Sequence, residues 1–188
     1  MLDRAGYGLL PLTEVQPDHI SAFDCGTPHL NEFLQNSAKP LHEYRLGFTS
    51  VVFHGDYAGP VGYFTLCNDA VPLTPGEMFD MNIDETEFPL KAFPAVKIGR
   101  LAVASALQSN GVGAALMKLL LGEVLDSSTL STSRILVVDA ENQPRVISFY
   151  ERQGFERSGW AEKSAANHKE KGGRRAIKML RDVLKPFP

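Results

Sequence analysis

Residues 98–114, IGRLAVASALQSNGVGA, are the most informative stretch of this chain. Apolar residues predict a strand over 96–103 and a helix over 111–125, with a short loop between them. The first backbone N–H groups of a helix have no partner within it, and the helix dipole adds positive potential there. Gly111 and Gly113 let the backbone approach a ligand closely. The stretch therefore predicts a site for a phosphate group at a helix start.

The composition is that of an ordinary globular protein. The chain has 188 residues, of which 44% are hydrophobic and 22% charged, so we expect one domain spanning residues 1–188. The formal net charge of −3 weighs against a nucleic-acid substrate, although a local basic patch can suffice. The N-terminus lacks the apolar segment of a signal peptide, and no apolar run approaches the roughly 20 residues of a membrane span. We therefore expect a cytoplasmic protein without membrane contact.

The cysteine and histidine residues show no metal-ligand spacing. Cys25 and Cys67 are the two cysteines, and we interpret them as reduced thiols in a reducing compartment. Neither they nor His19, His29 and His42 form a pattern that would hold zinc. We expect no bound metal.

The remaining elements alternate between strand and helix patterns, which favours an α/β or α+β fold with a central mixed sheet. Thr27 and Pro28 predict a helix start, Pro40 interrupts the pattern that follows, and Gly154 predicts a helix end. The expected strands are 9–15, 49–54, 61–67 and 135–138. The expected helices are 18–23, a helix that begins after Pro28, and 141–153. Residues 72–94 are expected to form an irregular connection and 127–133 a polar linker, and 176–184 form either a strand or a helix.

Two motifs together resemble the GNAT family of N-acetyltransferases. Residues 108–113, QSNGVG, match the family's Gln/Arg-x-x-Gly-x-Gly/Ala diphosphate loop, and residues 149–155, FYERQGF, match its Phe-Tyr-x-x-x-Gly-Phe segment. One predicted strand lies between them. The resemblance implies a GNAT-like α/β (α+β) fold: a mixed, mostly antiparallel sheet that is splayed at the acetyl-CoA site and flanked by helices. It also implies transfer of an acetyl group from acetyl-CoA to a primary amine of a small molecule, peptide or protein.

The resemblance also assigns the residues that bind acetyl-CoA. The backbone of the strand would bind the pantetheine arm, and the loop and helix start would bind the diphosphate. An asparagine that often contacts CoA in the family falls on Gln143 or its neighbour Asn142, which is equally well explained as a helix cap. The cofactor-binding set is thus Leu101, Ala102, Val103, Gln108, Ser109, Asn110, Gly111, Val112, Gly113, Ala114, Asn142 and Gln143.

Tyr150 is the candidate general acid. A phenol with an ordinary pKa of about 10 can protonate the thiolate that leaves when an amine attacks the thioester. The family uses a tyrosine at this point of its motif. Without the motif, packing of Tyr150 beside Phe149 would be the simpler interpretation.

No candidate general base stands where the family often has a glutamate, because residues 96–100 read VKIGR. Either a water chain or a loop residue such as Glu87 serves as base, or the acceptor amine needs little help. The α-amine of an aminoacyl ester has a pKa below the roughly 7.7–8.0 of a chain N-terminus, whereas a lysine amine has one of about 10.4. The absent carboxylate therefore favours an α-amine as acceptor.

Two groups of basic residues remain open to two interpretations. Arg100 is either a surface residue or a substrate contact for a phosphate or carboxylate. The cluster Lys163, His168, Lys169, Lys171, Arg174, Arg175 and Lys178 is either a solvated tail or an RNA-backbone patch.

The N-terminal segments 23–26, FDCG, and 30–34, LNEFL, resemble the GNAT branch that contains toxins acting on aminoacyl-tRNA. This resemblance implies tRNA as a substrate and an antitoxin as a partner, and it leaves a homodimer open. A non-catalytic CoA-binding module is the alternative from another functional class.

Overall fold

The computed structural model describes residues 6–126, 132–167 and 174–187. In these ranges seven strands form one open mixed sheet in the order β1-β2-β3-β4-β5-β7-β6, with helices flanking it, which confirms the α/β fold class. The strands are β1 Tyr7–Pro11, β2 Phe48–His54, β3 Tyr57–Val71, β4 Phe93–Val103, β5 Ile135–Glu141, β6 Glu156–Arg157 and β7 Ala176–Asp182. The helices are α1 Pro17–Ala22, α2 Pro28–Glu32, α3 Ala38–Glu43, α4 Pro75–Asp80, α5 Val112–Asp126, α6 Pro144–Arg152 and α7 Gly159–Asn167.

The chain divides into two compact units. The first comprises the described parts of 1–67 and 98–123, and the second those of 68–97 and 124–188. In the first unit, β1, β2 and β3 form an antiparallel meander in which Val51 pairs with Tyr63. The predicted strands 49–54 and 61–67 are thus present, and they pair as an antiparallel hairpin. The predicted strand 9–15 is wrong beyond Pro11, because a short 3-10 helix over Leu12–Glu14 follows and buries Leu12.

Helices α2 and α3 of the first unit are joined by a π-helical segment, Phe33–Ser37. Thr27 and Pro28 begin α2 as the sequence predicts. Pro40, however, does not interrupt the helix, since it lies inside α3. A proline ring clashes with the carbonyl four residues earlier in a regular α-helix, and the wider π turn changes the spacing before Pro40. The helices cover a core of Phe23, Leu34, Ala38, Val51, Tyr63 and Ala102.

The second unit contains a helix that the sequence analysis missed. Residues 72–94 were expected to be irregular, but 75–80 form α4. Thr74 and Glu77 form a reciprocal capping box, in which the Thr74 hydroxyl accepts from the Glu77 N–H at 3.2 Å and the Glu77 carboxylate accepts from the Thr74 N–H at 2.7 Å. Glu77 also accepts from the Gly159 N–H at 2.8 Å, which ties α4 to the start of α7.

The C-terminal alternative is settled as a strand, because β7 pairs with β5 along its whole length and Val137 lies opposite Leu180. Helix α6 begins at Pro144 and ends before Gly154, whose φ of 80° is the left-handed conformation expected after a helix. Helix α7 was not predicted. Of the predicted polar linker, residues 127–131 lie outside the described residues.

Candidate active site

The predicted diphosphate loop, residues 108–113, connects β4 to α5 in the first unit. After β4, a 3-10 helix over Ser105–Leu107 leads to the loop. Ser109 and Gly111 have φ of 65° and 81°, so two positions of the loop are left-handed. Such a conformation strains a serine by an amount of the order of 1–3 kcal/mol and costs a glycine little. Strain of this kind is often found in loops that bind a ligand.

The start of α5 has the geometry that an anion needs. Its first backbone hydrogen bond runs from the Ala115 N–H to the Gly111 carbonyl at 3.1 Å, so the amides just before Ala115 precede the helical ladder. Ser109, Asn110 and Gly111 are exposed, whereas Val112 is buried and anchors the helix. Backbone N–H groups at a helix start, with glycine at 111 and 113, suit an anion such as a diphosphate.

Gln108 is engaged by the protein itself. Its side-chain nitrogen donates to the Cys25 carbonyl at 2.8 Å and to the Val103 carbonyl at 3.1 Å. An amide NH₂ group has two hydrogens, so these two bonds use both. Gln108 therefore fixes the beginning of the loop, and its side-chain oxygen is the part left for a ligand.

The end of β4 packs closely on β3. The Ala104 N–H donates to the Val61 carbonyl at 3.0 Å, and a Cβ added at Gly62 would lie 2.5 Å from the Ala102 carbonyl oxygen. Ala102 is buried, while Leu101 and Val103 are half-buried. The predicted pantetheine-binding residues thus lie on a firmly held strand that leads directly into the loop.

Tyr150 lies on α6 in the second unit, within an aromatic cluster. Its ring makes edge-to-face contacts with Phe149 at 5.1 Å and with Phe155 at 5.3 Å, and the residue is 7% exposed. Burial raises the pKa of the Tyr150 phenol, and the charge of Glu141 raises it further. A phenol with a raised pKa is protonated at neutral pH, so the hydroxyl is in the form that donates a proton.

The two candidates before α6 are held by neighbouring residues of the second unit. Asn142 donates from its side chain to the Arg174 carbonyl at 2.9 Å. The helix cap is Gln143 rather than Asn142, because α6 begins at Pro144, although the Gln143 side chain makes no capping bond. It donates instead to the Glu141 carboxylate at 3.1 Å. The interpretation of Asn142 as the helix cap is therefore wrong, because the cap is the next residue, Gln143.

Arg100 is an exposed cation on β4. Its guanidinium lies 4.9 Å from the centre of the Phe33 ring and donates to the Gly99 carbonyl at 2.6 Å. Stacking on an aromatic ring restricts the positions that an arginine side chain can take. Of the C-terminal basic cluster, Lys163, Arg174, Arg175 and Lys178 are described, and 168–171 lie outside the described residues.

The carboxylate of Asp139, on β5, was not among the predicted site residues. Asp139 accepts from Lys97 at 2.5 Å and from Lys178 at 3.0 Å. Burial raises the pKa of Asp139, but the two ammonium groups outweigh it, so the pKa lies below its ordinary value. A carboxylate of this kind is a poor general base at neutral pH, since an efficient base has a pKa near the working pH. The only sequence signal was an acidic residue directly after the apolar run 135–138.

Possible metal-binding groups and membrane-spanning helices can be described for residues 6–126, 132–167 and 174–187. Within these ranges no group of three or more histidine, cysteine or acidic side chains is placed to hold a metal ion. No helix there is long and apolar enough to cross a membrane.

Comparison with known proteins identifies the family. The family model described as an acetyltransferase (GNAT) domain matches residues 55–157, more than half of the chain. No protein of curated function matches the chain by sequence.

Solved structures show the same fold over nearly the whole chain. AtaT complexed with acetyl-methionyl-tRNAfMet is 23% identical, with a TM-score of 0.69 over 92% of this chain and 93% of that one. AtaTR bound with AcCoA is 22% identical, with a TM-score of 0.63 over 92% of each chain. The KacTA–DNA complex is 21% identical, with a TM-score of 0.65 over 94% of this chain and 93% of that one. The chain belongs to the GNAT family of acetyltransferases, and it is an N-acetyltransferase that uses acetyl-CoA as its co-substrate.

Proposed function

We propose that this enzyme acetylates the α-amine of aminoacyl-tRNA and thereby blocks translation. The observation that carries the proposal is the fold shared over 92% of the chain with AtaT, a protein whose structure holds acetyl-methionyl-tRNAfMet. The proposal treats residues 1–188 as one acetyltransferase domain acting in the cytoplasm, where acetyl-CoA and charged tRNA are found. An antitoxin is the expected partner, as AtaT is bound by the C-terminus of the antitoxin AtaR in one structure.

The charges on β4 support an α-amine as acceptor. Residues 96–100 contain no carboxylate, and the Lys97 ammonium is paired with Asp139. An amine that attacks the thioester must be neutral. The amine of an aminoacyl ester is largely neutral at pH 7, whereas a lysine side chain is not. An enzyme without a strong base on this strand therefore suits the ester-linked amine better.

Bound acetyl-CoA supplies a thioester, whose carbonyl carbon is the electrophile and whose sulfur is the leaving group. We propose that the N–H groups of Asn110, Gly111, Val112, Gly113 and Ala114 bind the diphosphate, and that the backbone of Leu101–Val103 binds the pantetheine arm. Gln108 and Ser109 shape the loop, and Asn142 or Gln143 contacts CoA before α6. Preorganised backbone donors need no rearrangement when the ligand arrives, which favours affinity.

Tyr150 acts as the general acid in this proposal. The acceptor nitrogen forms a bond to the acetyl carbon, the carbon–sulfur bond breaks, and the phenol gives its proton to the departing sulfur. The amine nitrogen loses a proton to solvent, and solvent returns a proton to the Tyr150 phenolate. The phenol is protonated at neutral pH already at its ordinary pKa of about 10, so it can donate, and burial raises that pKa further. Arg100, held against Phe33, is the proposed contact for a phosphate of the acceptor.

The test is acetyl transfer from radiolabelled acetyl-CoA to charged tRNA, together with growth after induction. Replacing the general acid, Tyr150→Phe, should lower transfer by about 10²–10⁴-fold and relieve growth arrest. Tyr44→Phe is the matched control, because Tyr44 is 79% exposed and has no proposed role. It should leave transfer unchanged. Acetylation of small amines or peptides without any of charged tRNA would contradict the proposed acceptor.

A second candidate acceptor is an amine that is not attached to RNA. The formal net charge of −3 and the acidic residues of 80–87 favour it, since both repel a polyanion. Normal growth on induction, with an active enzyme in a screen of amines, would select this alternative. Tight CoA binding without transfer to any amine would instead indicate a non-catalytic binding module.

A further inference from the structure

The N-terminal motif that the mechanism leaves unused is bound directly to the diphosphate loop. We infer that Asp24, Cys25 and Asn31, which we call the brace, are positioning residues that set the loop for CoA through Gln108. The inference rests on the proposed role of that loop. All of its contacts lie within the first unit.

The brace is organised by the Asn31 side chain. Its oxygen accepts from the Cys25 N–H at 2.9 Å and from the Cys25 thiol at 3.0 Å. Its nitrogen donates to the Asp24 carboxylate at 2.6 Å. The same carboxylate oxygen accepts from the Gly26 N–H at 2.8 Å. One asparagine thus fixes the orientation of the peptide groups around Cys25.

The fixed peptide groups hold the loop at two points. The Asp24 carbonyl accepts from the Ser105 N–H at 2.9 Å, at the start of the turn after β4. The Cys25 carbonyl accepts from the Gln108 side chain at 2.8 Å, at the first position of the loop. Two successive carbonyls of the brace therefore hold the first residue of the short 3-10 helix and the residue directly after it.

The hydrogen bonds of Cys25 lie in a buried environment, where losing a partner is costly. Cys25 is 3% exposed, and its thiol donates to Asn31. Burial raises the pKa of the Cys25 thiol, which keeps it in the protonated form that can donate. A buried donor left without its partner costs more than the bond itself contributes, so the arrangement has few alternatives.

The loop needs such support because its own conformation is strained. Ser109 is left-handed with a φ of 65°, directly after the anchored Gln108. A strained conformation persists only where the surrounding structure holds it in place. Without the brace, Gln108 would lose one of its two partners, and the loop amides would have to be ordered when CoA binds. That ordering lowers affinity for the diphosphate without affecting the proton donor.

The test compares CoA binding by calorimetry in the wild type and in Asn31→Ala. We expect affinity for CoA to fall about tenfold, the equivalent of about 1.4 kcal/mol. The matched control is Asn36→Ala, since Asn36 is an exposed asparagine five residues later, in the π-helical segment that follows α2. It should bind CoA like the wild type.

A double-mutant cycle shows whether Asn31 acts through Gln108. If it does, Asn31→Ala should weaken binding by less than twofold in a Gln108→Ala background. Full additivity would overturn the inference. If Asn31→Ala does not fold, Asn31→Asp serves instead, because it keeps the oxygen that faces Cys25 and replaces the donor to Asp24 by a like charge.

A third measurement distinguishes weaker diphosphate binding from an overall loss of activity. It follows acetyl transfer from S-acetylpantetheine, a donor that lacks the diphosphate. Asn31→Ala should use this donor as well as the wild type does, while it loses efficiency with acetyl-CoA. Equal losses with both donors, or unchanged CoA affinity, would overturn the inference and leave the proposed function intact. A wild type that binds no CoA would overturn both.

Discussion

Gly62 is the residue at which close packing of the sheet allows no side chain. A Cβ there would lie 2.5 Å from both the Ala102 carbonyl oxygen and the Leu116 side chain, and 3.4 Å from the Val103 Cα. The carbonyl belongs to the strand proposed to bind pantetheine, so it cannot move away without disturbing that strand. The sequence shows Gly62 merely as a glycine within a β-rich run.

We therefore predict that Gly62→Ala destabilises the protein by about 1–3 kcal/mol, since overpacking forces backbone shifts of this cost. Urea unfolding of the purified variant measures it. Gly8→Ala is the control, because nothing lies within 4 Å of the Cβ it adds on β1. A Gly62→Ala variant as stable as Gly8→Ala would show that β3 and β4 are less tightly packed than described.

Local chemistry explains which residues of the candidate site could be predicted. Gly111 and Gly154 were informative because each adopts a left-handed φ that glycine favours, 81° and 80°. Gln108 could not be interpreted in the same way, since its partner Cys25 lies 83 residues away along the chain. The motif identified the loop, and only the three-dimensional structure shows that Gln108 anchors it.

At the scale of elements, predictions failed where a distant partner decides the conformation. The segment 176–184 was compatible with strand or helix, and pairing of Met179 with Val138 makes it a strand. Pro40 predicted a helix break, yet it lies within α3, which follows directly after a π-helical segment. Helix α4 was hidden in a proline-containing stretch, although Thr74 and Glu77 have the spacing of a capping box.

An ion pair whose strength depends on pH joins the residue before β5 to the last residue of β7. Arg134 donates to both oxygens of the Asp182 carboxylate, at 3.2 and 2.9 Å. Burial raises the pKa of Asp182, but the Arg134 contacts and the Leu184 N–H outweigh it, so the pKa lies below its ordinary value. A carboxylate with a lowered pKa stabilises the fold above its unfolded pKa of about 3.9, and this contribution is lost as pH falls through the folded pKa.

Asp182→Asn should accordingly destabilise the protein by about 2 kcal/mol at pH 7, the order of a hydrogen bond to a charged group. The difference from the wild type should shrink as pH falls below about 4 and through the lowered folded pKa of Asp182, because both proteins are neutral at this position only below that pKa. Urea unfolding at pH 7, 5 and 3 measures it. The exposed Asp80→Asn serves as control and should show little difference at any pH. A difference independent of pH would contradict the ion pair.

At the scale of the whole molecule, ligand binding should appear as a gain in stability. A ligand that binds only the folded state at 100 times its Kd stabilises it by about 2.7 kcal/mol. For a protein of this size that corresponds to a rise in Tm of roughly 5–10 °C. We predict such a rise for the wild type with saturating CoA, and a much smaller one with pantetheine, because the proposed loop binds the diphosphate that pantetheine lacks.

The same measurement distinguishes the loop from the rest of α5. Gly111→Ala should lose most of the CoA-dependent rise, since its φ of 81° strains any residue with a Cβ. Gly122→Ala, later in α5, meets nothing within 4 Å and should keep the full rise while raising the ligand-free Tm, as alanine favours a helix over glycine by about 1 kcal/mol. A Gly111→Ala variant with the full rise would show that CoA is held without the helix start, and the diphosphate would then have to be bound elsewhere in the protein.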